Sequence, residues 1–511
     1  MKVKIIVNSD NYAYLTADND SLFYALEKSF TRIVSQYDNY WRRYRKVTKK
    51  HYTVQKQSDG SKKLKVKAGL ITFLANSLAV KHIPYEIVDN RYTLDIKTNI
   101  ETKLSDDVEL RDYQEKAVRN VFFGKVGGFC SIQLPTGSGK TEVAASIIKT
   151  YLNNHFNRAV LYVVPTLKLM EEAQERFTKY GIKVNINGEP FESDAVNIIT
   201  YLAICRSEYS KSEYDKVGAI VWDEAHRLKA DKTSKVIHNF TKLNLDVALS
   251  ATLSKEIERK KLLKDLNDDD LKVFGCSGMP VYFKTVDKSI KEKAIVPIKV
   301  HIMHNKSNYS RLSYDSSVTW HTIRKEVFQE DHDRMNFVAD FVCKAFKEND
   351  YHTMCLYIPY IDVSKDYMLT VASKLSQYGL DDTEIILLFG SNRYFVIENG
   401  FNLIEIKTDV AKELIYKRIK SNKCRTIFSA TTFFKEGIDV PNLQALVNVA
   451  GGVSEIAVKQ VLGRTMRLDV DKPIAHIYEI KDDYITLERQ LETRLNIYTN
   501  QYHADIVEGE V

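Results

Sequence analysis

The sequence predicts an α/β protein in which a small α+β unit precedes two parallel-sheet domains. Three observations carry this. From Leu110 onward, short apolar runs alternate with segments of helical period, as in strands joined by crossover helices. The alternation lapses over about Pro297–Arg334 and then resumes. Charge changes too: residues 1–100 hold 18 Lys/Arg against 9 Asp/Glu, a balance of +9, so with a net charge of +7 the remainder sums to −2. A chain of 511 residues has room for about three domains with cores of their own. The boundaries expected are 1–105, 106–290 and 291–511.

In the first unit, β-prone runs predict strands at Val3–Val7 and Tyr12–Thr16. Leu22, Ala25, Leu26, Phe30 and Ile33 then predict a helix over Ser21–Ser35. The stretch Trp41–Lys67 is basic: residues 42–67 hold 11 Lys/Arg and one acid, Asp59. A turn at Ser58–Gly60 makes it a β-hairpin. A helix at Leu70–Val80 and a strand at Tyr85–Val88 complete the unit. Strands follow at Ser131–Leu134, Ala159–Val164, Val196–Ile199, Ala219–Trp222 and Asp246–Leu249. After the connecting region come Met354–Ile358, Glu384–Phe389, Thr426–Ser429, Ala445–Val449 and Ala475–Glu479. Asn399-Gly400 between two β-prone runs predicts a hairpin over Arg393–Ile406. It is either a projecting separation pin or an added edge hairpin of its own domain.

Composition excludes several classes. With 44% hydrophobic and 28% charged residues, the chain is globular rather than disordered. The longest apolar stretch, Ala68–Val80, is shorter than the ~20 residues a bilayer span requires. The sequence turns polar at Asn8, so no leader is expected and the location expected is cytoplasmic. Six cysteines without a Cys-x-x-Cys pair fit a reducing compartment and give no zinc signature.

The strongest motif is Pro135-Thr136-Gly137-Ser138-Gly139-Lys140-Thr141, placed between a strand and a helix. Such a turn aims backbone N–H groups and a helix N-terminus at phosphate. Lys140 then reaches the β/γ-phosphates and Thr141 holds Mg²⁺. One departure is Leu134, where the general pattern has its first Gly. The second motif is Val221-Trp222-Asp223-Glu224-Ala225-His226. Asp223, at a strand end, is the Mg²⁺ partner expected, and Glu224 the carboxylate that orients or deprotonates water.

With both motifs in place the chain resembles a superfamily 2 helicase of the Asp-Glu-Ala-His type, over about Leu110–Leu468. Leu110-Arg111-Asp-Tyr-Gln114 resembles the segment that reads adenine, which puts Arg111 and Gln114 at the nucleotide with Thr136–Thr141. Thr166 and Thr200 resemble residues that hold the nucleic-acid backbone, as does Thr431. Ser250-Ala251-Thr252 resembles the motif linking hydrolysis to movement, and His226 and Gln460 are implied in the same coupling. Glu436-Gly437-Ile438-Asp439 resembles motif five, with Gly437 and Asp439 at the nucleotide. Gln460 through Gly463-Arg464-Thr-Met-Arg467 resembles motif six, and Arg464 and Arg467 are the arginine fingers expected to neutralise the transition state. The resemblance implies two RecA-like domains, ATP and Mg²⁺ as cofactors, and nucleic acid as partner.

Tyr40-Trp41-Arg42-Arg43-Tyr44-Arg45-Lys46 interleaves aromatics with cations, a composition suited to phosphates and exposed bases. Lys65-Val-Lys-Ala-Gly69-Leu70 with Phe73-Leu74 resembles the N-terminal part of phage branch-migration helicases, which for a phage-encoded chain implies the host cytoplasm. The expectation is therefore an ATP-driven DNA helicase or translocase acting on forked or junction DNA. An RNA helicase, the motor of a restriction system and a non-unwinding ATP switch are the alternatives. Protein partners are not indicated, nor a membrane. Asp331-His332-Asp333 reads as a helix start in preference to a metal site.

Overall fold

The computed structural model describes residues 2–508 apart from 39–42, 93, 124–127, 156, 187–189, 255–256, 310–311, 313–317, 390–392, 399–401, 407–418, 420–424, 431–439, 441, 452–454 and 470–471. The chain divides into two compact units, Met1–Pro135 with Gly139–Lys284, and Thr136–Ser138 with Thr285–Val511.

In the first unit, β1 (Val3–Val7), β2 (Tyr12–Ala17), β5 (Tyr52–Lys56), β6 (Lys62–Lys67) and β7 (Tyr85–Asp89) form a sheet of order β5-β6-β2-β1-β7. The helix expected over Ser21–Ser35 stops at Ser29. Asn19 caps its start by accepting from Leu22 N at 2.8 Å. Beyond Phe30 the β-branched Thr31, Ile33 and Val34 favour extended backbone, and Thr31–Asp38 is strand β3, paired antiparallel with β4 (Arg43–Lys50). The hairpin expected about Ser58–Gly60 is present as β5 and β6, and the start of the basic stretch, β4, joins a second antiparallel pair with β3.

The module's core continues into the α/β body: Val3, Leu15, Phe30 and Phe73 share one apolar cluster with Trp222, Phe240 and Phe274. Asn11 Nδ2 donates to Ile237 O at 3.3 Å, and Tyr12 stacks on His238 with centroids 3.7 Å apart. Gly69 lies so near that a Cβ there would sit 2.1 Å from Phe274 O, backbone against backbone.

After a small hairpin, β8 (Lys103–Ser105) and β9 (Val108–Glu109), seven parallel strands form the body. They are β10 (Phe129–Gln133), β11 (Ala159–Val164), β12 (Val184–Ile186), β13 (Val196–Thr200), β14 (Val217–Trp222), β15 (Leu245–Ser250) and β16 (Pro280–Phe283), ordered β12-β13-β11-β14-β15-β10-β16. Strands β11 and β13–β15 are buried along their whole length, the mark of a sheet covered on both faces.

The second unit holds a nine-stranded sheet: β17 (Ile298–Asn308), β18 (Thr353–Tyr357), β19 (Thr383–Phe389), β20 (Arg393–Glu398), β21 (Asn402–Ile406), β22 (Arg425–Ala430), β23 (Ala445–Asn448), β24 (Ala475–Asp483) and β25 (Asp505–Glu508). Its order is β21-β20-β19-β22-β18-β23-β24-β17-β25. The region expected to be a connection therefore opens with β17, parallel to both β24 and β25. Strands β20 and β21 continue the sheet antiparallel from β19, and Phe395 and Ile397 join its core. This is the edge-hairpin alternative; the Asn399-Gly400 turn lies outside the described residues. Asp331 caps the helix His332–Glu348, accepting from Arg334 N at 2.9 Å. Arg334, 1% exposed, pairs with buried Asp482 at 2.8 Å and donates to Tyr367 Oη and Val449 O.

Candidate nucleotide and nucleic-acid site

The first sheet's topology lines up the predicted residues along one edge. Neighbouring strands β13, β11, β14, β15 and β10 end respectively at Thr200, just before Thr166, just before Asp223, at Ser250, and just before the phosphate loop. The C-terminal edge of a parallel sheet is where α/β folds bind ligands.

Leu134 is wholly buried and its N–H donates to Ser250 O at 3.1 Å, so it extends the ladder where the general pattern has Gly. Gly137 and Gly139 adopt φ of 82° and 77°, and the helix Lys140–Asn154 starts directly from Gly139. A Cβ on Gly139 would meet Gln114 Nε2 at 2.2 Å. That amide donates to Gly139 O at 3.2 Å, while Gln114 Oε1 accepts from Arg111 N at 2.8 Å. Gln114 is thus buried as a brace on the phosphate loop, and the Arg111 side chain is exposed. Ser138 is buried; Thr136, Lys140 and Thr141 are half-buried.

Asp223 follows β14, with its N–H bonded to Val163 O at 2.9 Å. Tyr162 Oη donates to Asp223 Oδ2 at 3.2 Å and Tyr201 Oη to Asp223 O at 2.8 Å. Burial, and then the charge of Glu224, push the Asp223 carboxyl above its usual range, with Lys140 opposing. Burial acts on Glu224 as well, but the hydrogen bond with His226, the Lys140 charge and the Ser250 hydroxyl outweigh it and hold that carboxyl low. Glu224 sits at φ 48°, ψ 49°, a left-handed conformation uncommon outside Gly and Asn and a mark of functional strain. Its Oε2 lies 3.3 Å from His226 Nδ1 and accepts from Ser250 Oγ at 3.3 Å. Ser250 Oγ is also 3.3 Å from His226 Nδ1 and accepts from Thr252 N at 3.1 Å. Glu224, His226 and Ser250 therefore close a triangle tying the ends of β14 and β15 together.

Thr166 and Thr200 cap the helices Leu167–Lys179 and Tyr201–Arg206, accepting from Leu169 N at 3.3 Å and Ala203 N at 3.2 Å. Capping uses a lone pair and leaves each hydroxyl proton to donate. In the second unit, Gln460 and Arg464 lie on the helix Glu455–Thr465, and Arg467 follows it half-buried. Thr431, Gly437, Asp439, Trp41 and Arg42 lie outside the described residues. Arg43, Arg45 and Lys46 are exposed on β4.

Sequence reasoning missed three residues. Gln133 Oε1 accepts from Leu253 N and Ser254 N, tying the end of β10 to the loop after Thr252. Its signal was a lone amide at the end of an apolar run. Tyr162 and Tyr201 are masked by the apolar runs around them.

This nucleotide loop, acidic pair and coupled strand edge define an ATP-hydrolysing motor of the helicase class. Residues 107–255 match the family described as Type III restriction enzyme, res subunit. The chain is 26% identical over 390 residues to the DNA 3'-5' translocase XPB2 of Sulfurisphaera tokodaii, covering 71% of this chain and 80% of that protein. It is 22% identical over 395 residues to the ATP-dependent DNA helicase uvsW of Enterobacteria phage T4, covering 73% and 69%. Its fold is similar to the ATP-dependent Type ISP restriction-modification enzyme LlaBIII bound to DNA, with a TM-score of 0.55 at 14% identity, covering 85% of this chain and 34%, about a third, of that one. It is also similar to the DUF1998 helicase MrfA bound to DNA and AMPPNP, with a TM-score of 0.52 at 14% identity, covering 81% and 56%. The chain is similar to superfamily 2 helicases, the phage enzyme among others; it is an ATP-hydrolysing enzyme whose partner is nucleic acid. Among the described residues no helix is long and apolar enough to cross a membrane.

Proposed function

We propose that the chain is an ATP-dependent DNA helicase that remodels forked and four-way-junction DNA. The observation that carries the reading is the single sheet edge on which the phosphate loop, Asp223, Thr166 and Thr200 follow strand by strand. The DNA translocase and DNA helicase relatives favour DNA over RNA.

In this reading Thr136–Thr141 cradle the triphosphate, Lys140 meets its outer phosphates, and Arg111 and Gln114 flank the base. Thr141 and Asp223 hold Mg²⁺. The donor set fits: two oxygen ligands of the hard type this cation takes, one of them a buried carboxylate pushed toward protonation that a cation would neutralise. Magnesium supplies charge neutralisation at the phosphates. Glu224, kept ionised by its partners, orients and deprotonates water. Gly437 and Asp439 approach the nucleotide, and Arg464 and Arg467 stabilise the charge of the transition state. His226, Ser250, Thr252 and Gln460 transmit the state of the nucleotide, while Thr166, Thr200 and Thr431 hold backbone phosphates without reading sequence. The domain division 1–105, 106–290 and 291–511 assigns duplex or junction binding to the first segment, through Trp41, Arg42, Arg43, Arg45 and Lys46.

A restriction motor is the second reading, favoured by the match of residues 107–255 to a restriction subunit family. ATPase and strand displacement, measured with single strands, duplex, forks, four-way junctions and RNA, separate the readings. Stimulation and displacement are expected to be greatest on forks and junctions. Stimulation by plain duplex without displacement would favour the restriction motor, and RNA as the better activator would overturn the assignment to DNA.

A further inference from the structure

The β3–β4 ribbon has two faces of different character. Cross-strand partners share a face and successive residues alternate, so the pairs Ile33/Thr48, Ser35/Lys46 and Tyr37/Tyr44 lie on one side with Thr31/Lys50. Arg32/Lys49, Val34/Val47, Gln36/Arg45 and Asp38/Arg43 lie on the other. The second face is anchored at its base. Arg32 Nε donates to Leu266 O at 2.7 Å and Nη2 to Leu263 O at 2.6 Å, and Lys49 and the neighbouring His51 both meet Asp268. Nearer the tip, Arg45 pairs with Asp38 at 3.1 Å.

The first face is open. Ile33 is 71% exposed, Tyr37 47% and Tyr44 71%, and the tyrosine rings meet edge-on with centroids 5.2 Å apart. Lys46, in the row between Ile33 and the tyrosines, and Lys50, in the row beyond Ile33, are also exposed. Isolated apolar residues on a surface need no explanation, but three on one face of a two-stranded ribbon, two of them in ring contact, do. Lysines interleaved with them exclude an apolar protein partner as the best fit and favour a polyanion with flat apolar groups, which is the chemistry of a nucleic-acid strand with unstacked bases.

We infer that Ile33, Tyr37 and Tyr44 form a base-contacting face that meets unpaired or splayed bases at a DNA branch point, with Lys46 and Lys50 holding the adjoining phosphates. This rests on the junction-remodelling reading and deepens it. The discrimination between branched and linear DNA lies in the tyrosines, while Lys46 and Lys50 provide affinity for either form.

The test uses the full chain with a four-way junction carrying 2-aminopurine at the crossover, and a linear duplex of equal length. Tyr37→Ala/Tyr44→Ala is expected to lower the junction-to-duplex affinity ratio at least about fivefold, the low end for losing one base–aromatic stack, and to abolish the 2-aminopurine response. Its salt dependence should stay that of the wild type. Lys46→Ala/Lys50→Ala is expected to weaken both substrates alike and to reduce the log–log salt slope by up to about 0.9 per lysine. All four side chains are exposed, and unchanged circular dichroism confirms the fold. A junction preference that survives the tyrosine substitutions overturns the inference alone. A wild-type chain without junction preference overturns the proposed function, and the inference with it.

Discussion

Gly139→Ala probes the brace between Gln114 and the phosphate loop. The new methyl must hold φ near 77°, a left-handed conformation that costs an L-residue about 1–2 kcal/mol. It also lands 2.2 Å from Gln114 Nε2, so the amide must swing away and give up its bonds to Gly139 O and Arg111 N. Each such bond contributes about 0.5–1.5 kcal/mol net, which brings the whole penalty to roughly 2–5 kcal/mol. A single-alanine change is thus expected to weaken ATP binding by more than tenfold, to lower the thermal midpoint, or to divide its effect between the two. A double-mutant cycle separates the causes. In a Gln114→Ala background that clash and the two bonds are already gone, so Gly139→Ala should there cost only its backbone strain and the lesser approach to Glu142 Oε2 at 3.0 Å. The assay is nucleotide titration alongside thermal unfolding for all four proteins of the cycle. Additive effects would show that Gln114 does not obstruct the methyl, and wild-type behaviour of Gly139→Ala would refute the left-handed geometry itself.

Glu224→Gln should keep ATP binding while turnover collapses, and Lys140→Ala should lose hydrolysis with the thermal midpoint unchanged; steady-state ATPase with an ATP-binding assay checks both. Arg464→Ala and Arg467→Ala should each depress kcat far more than they raise KM for ATP, as expected of groups acting in the transition state, and a change confined to KM would count against them. Asp246, buried and hydrogen-bonded from Trp222 Nε1 at 2.8 Å, has its carboxyl pushed up to about 8 by burial. Its folded pKa exceeds the unfolded one, so its contribution is complete below about 4 and is lost as pH rises through about 8. Asp246→Asn should therefore flatten the fall of the thermal midpoint across that window. Arg334→Met leaves the buried Asp482 with Asn305 in place of its ion partner, and should cost about 3–5 kcal/mol in urea unfolding of the second unit.

The catalytic strands were legible because continuous apolar runs bounded by glycine or acid admit few other structures. The phosphate loop and the Asp-Glu-Ala-His block stand out for the same reason: they break such runs with residues that a core rejects. Strand β17 escaped because it alternates, with Ile298, Val300 and Ile302 buried while Lys299 and His301 are half-buried, and so lacks the continuous apolar run that marks its neighbours. The helix over Ser21–Ser35 was overrun because Phe30 and Ile33 keep helical spacing while the chain has already turned extended. The triangle of Glu224, His226 and Ser250 could not be seen at all, since it depends on β15 lying beside β14, a fact of sheet order rather than of spacing.

The shared core of the N-terminal module also sets a timetable. Its strands leave the ribosome before the 237–276 segment they pack against: Phe73 meets Phe274 at 5.5 Å between ring centroids, and Tyr12 awaits His238. During synthesis the basic ribbon and its sheet thus remain incomplete until residues 237–276 have emerged, exposing apolar surface and cations together in a cell rich in nucleic acid. For the same reason the segment is no detachable cassette. A graft onto another motor would have to carry the 237–276 surface with it.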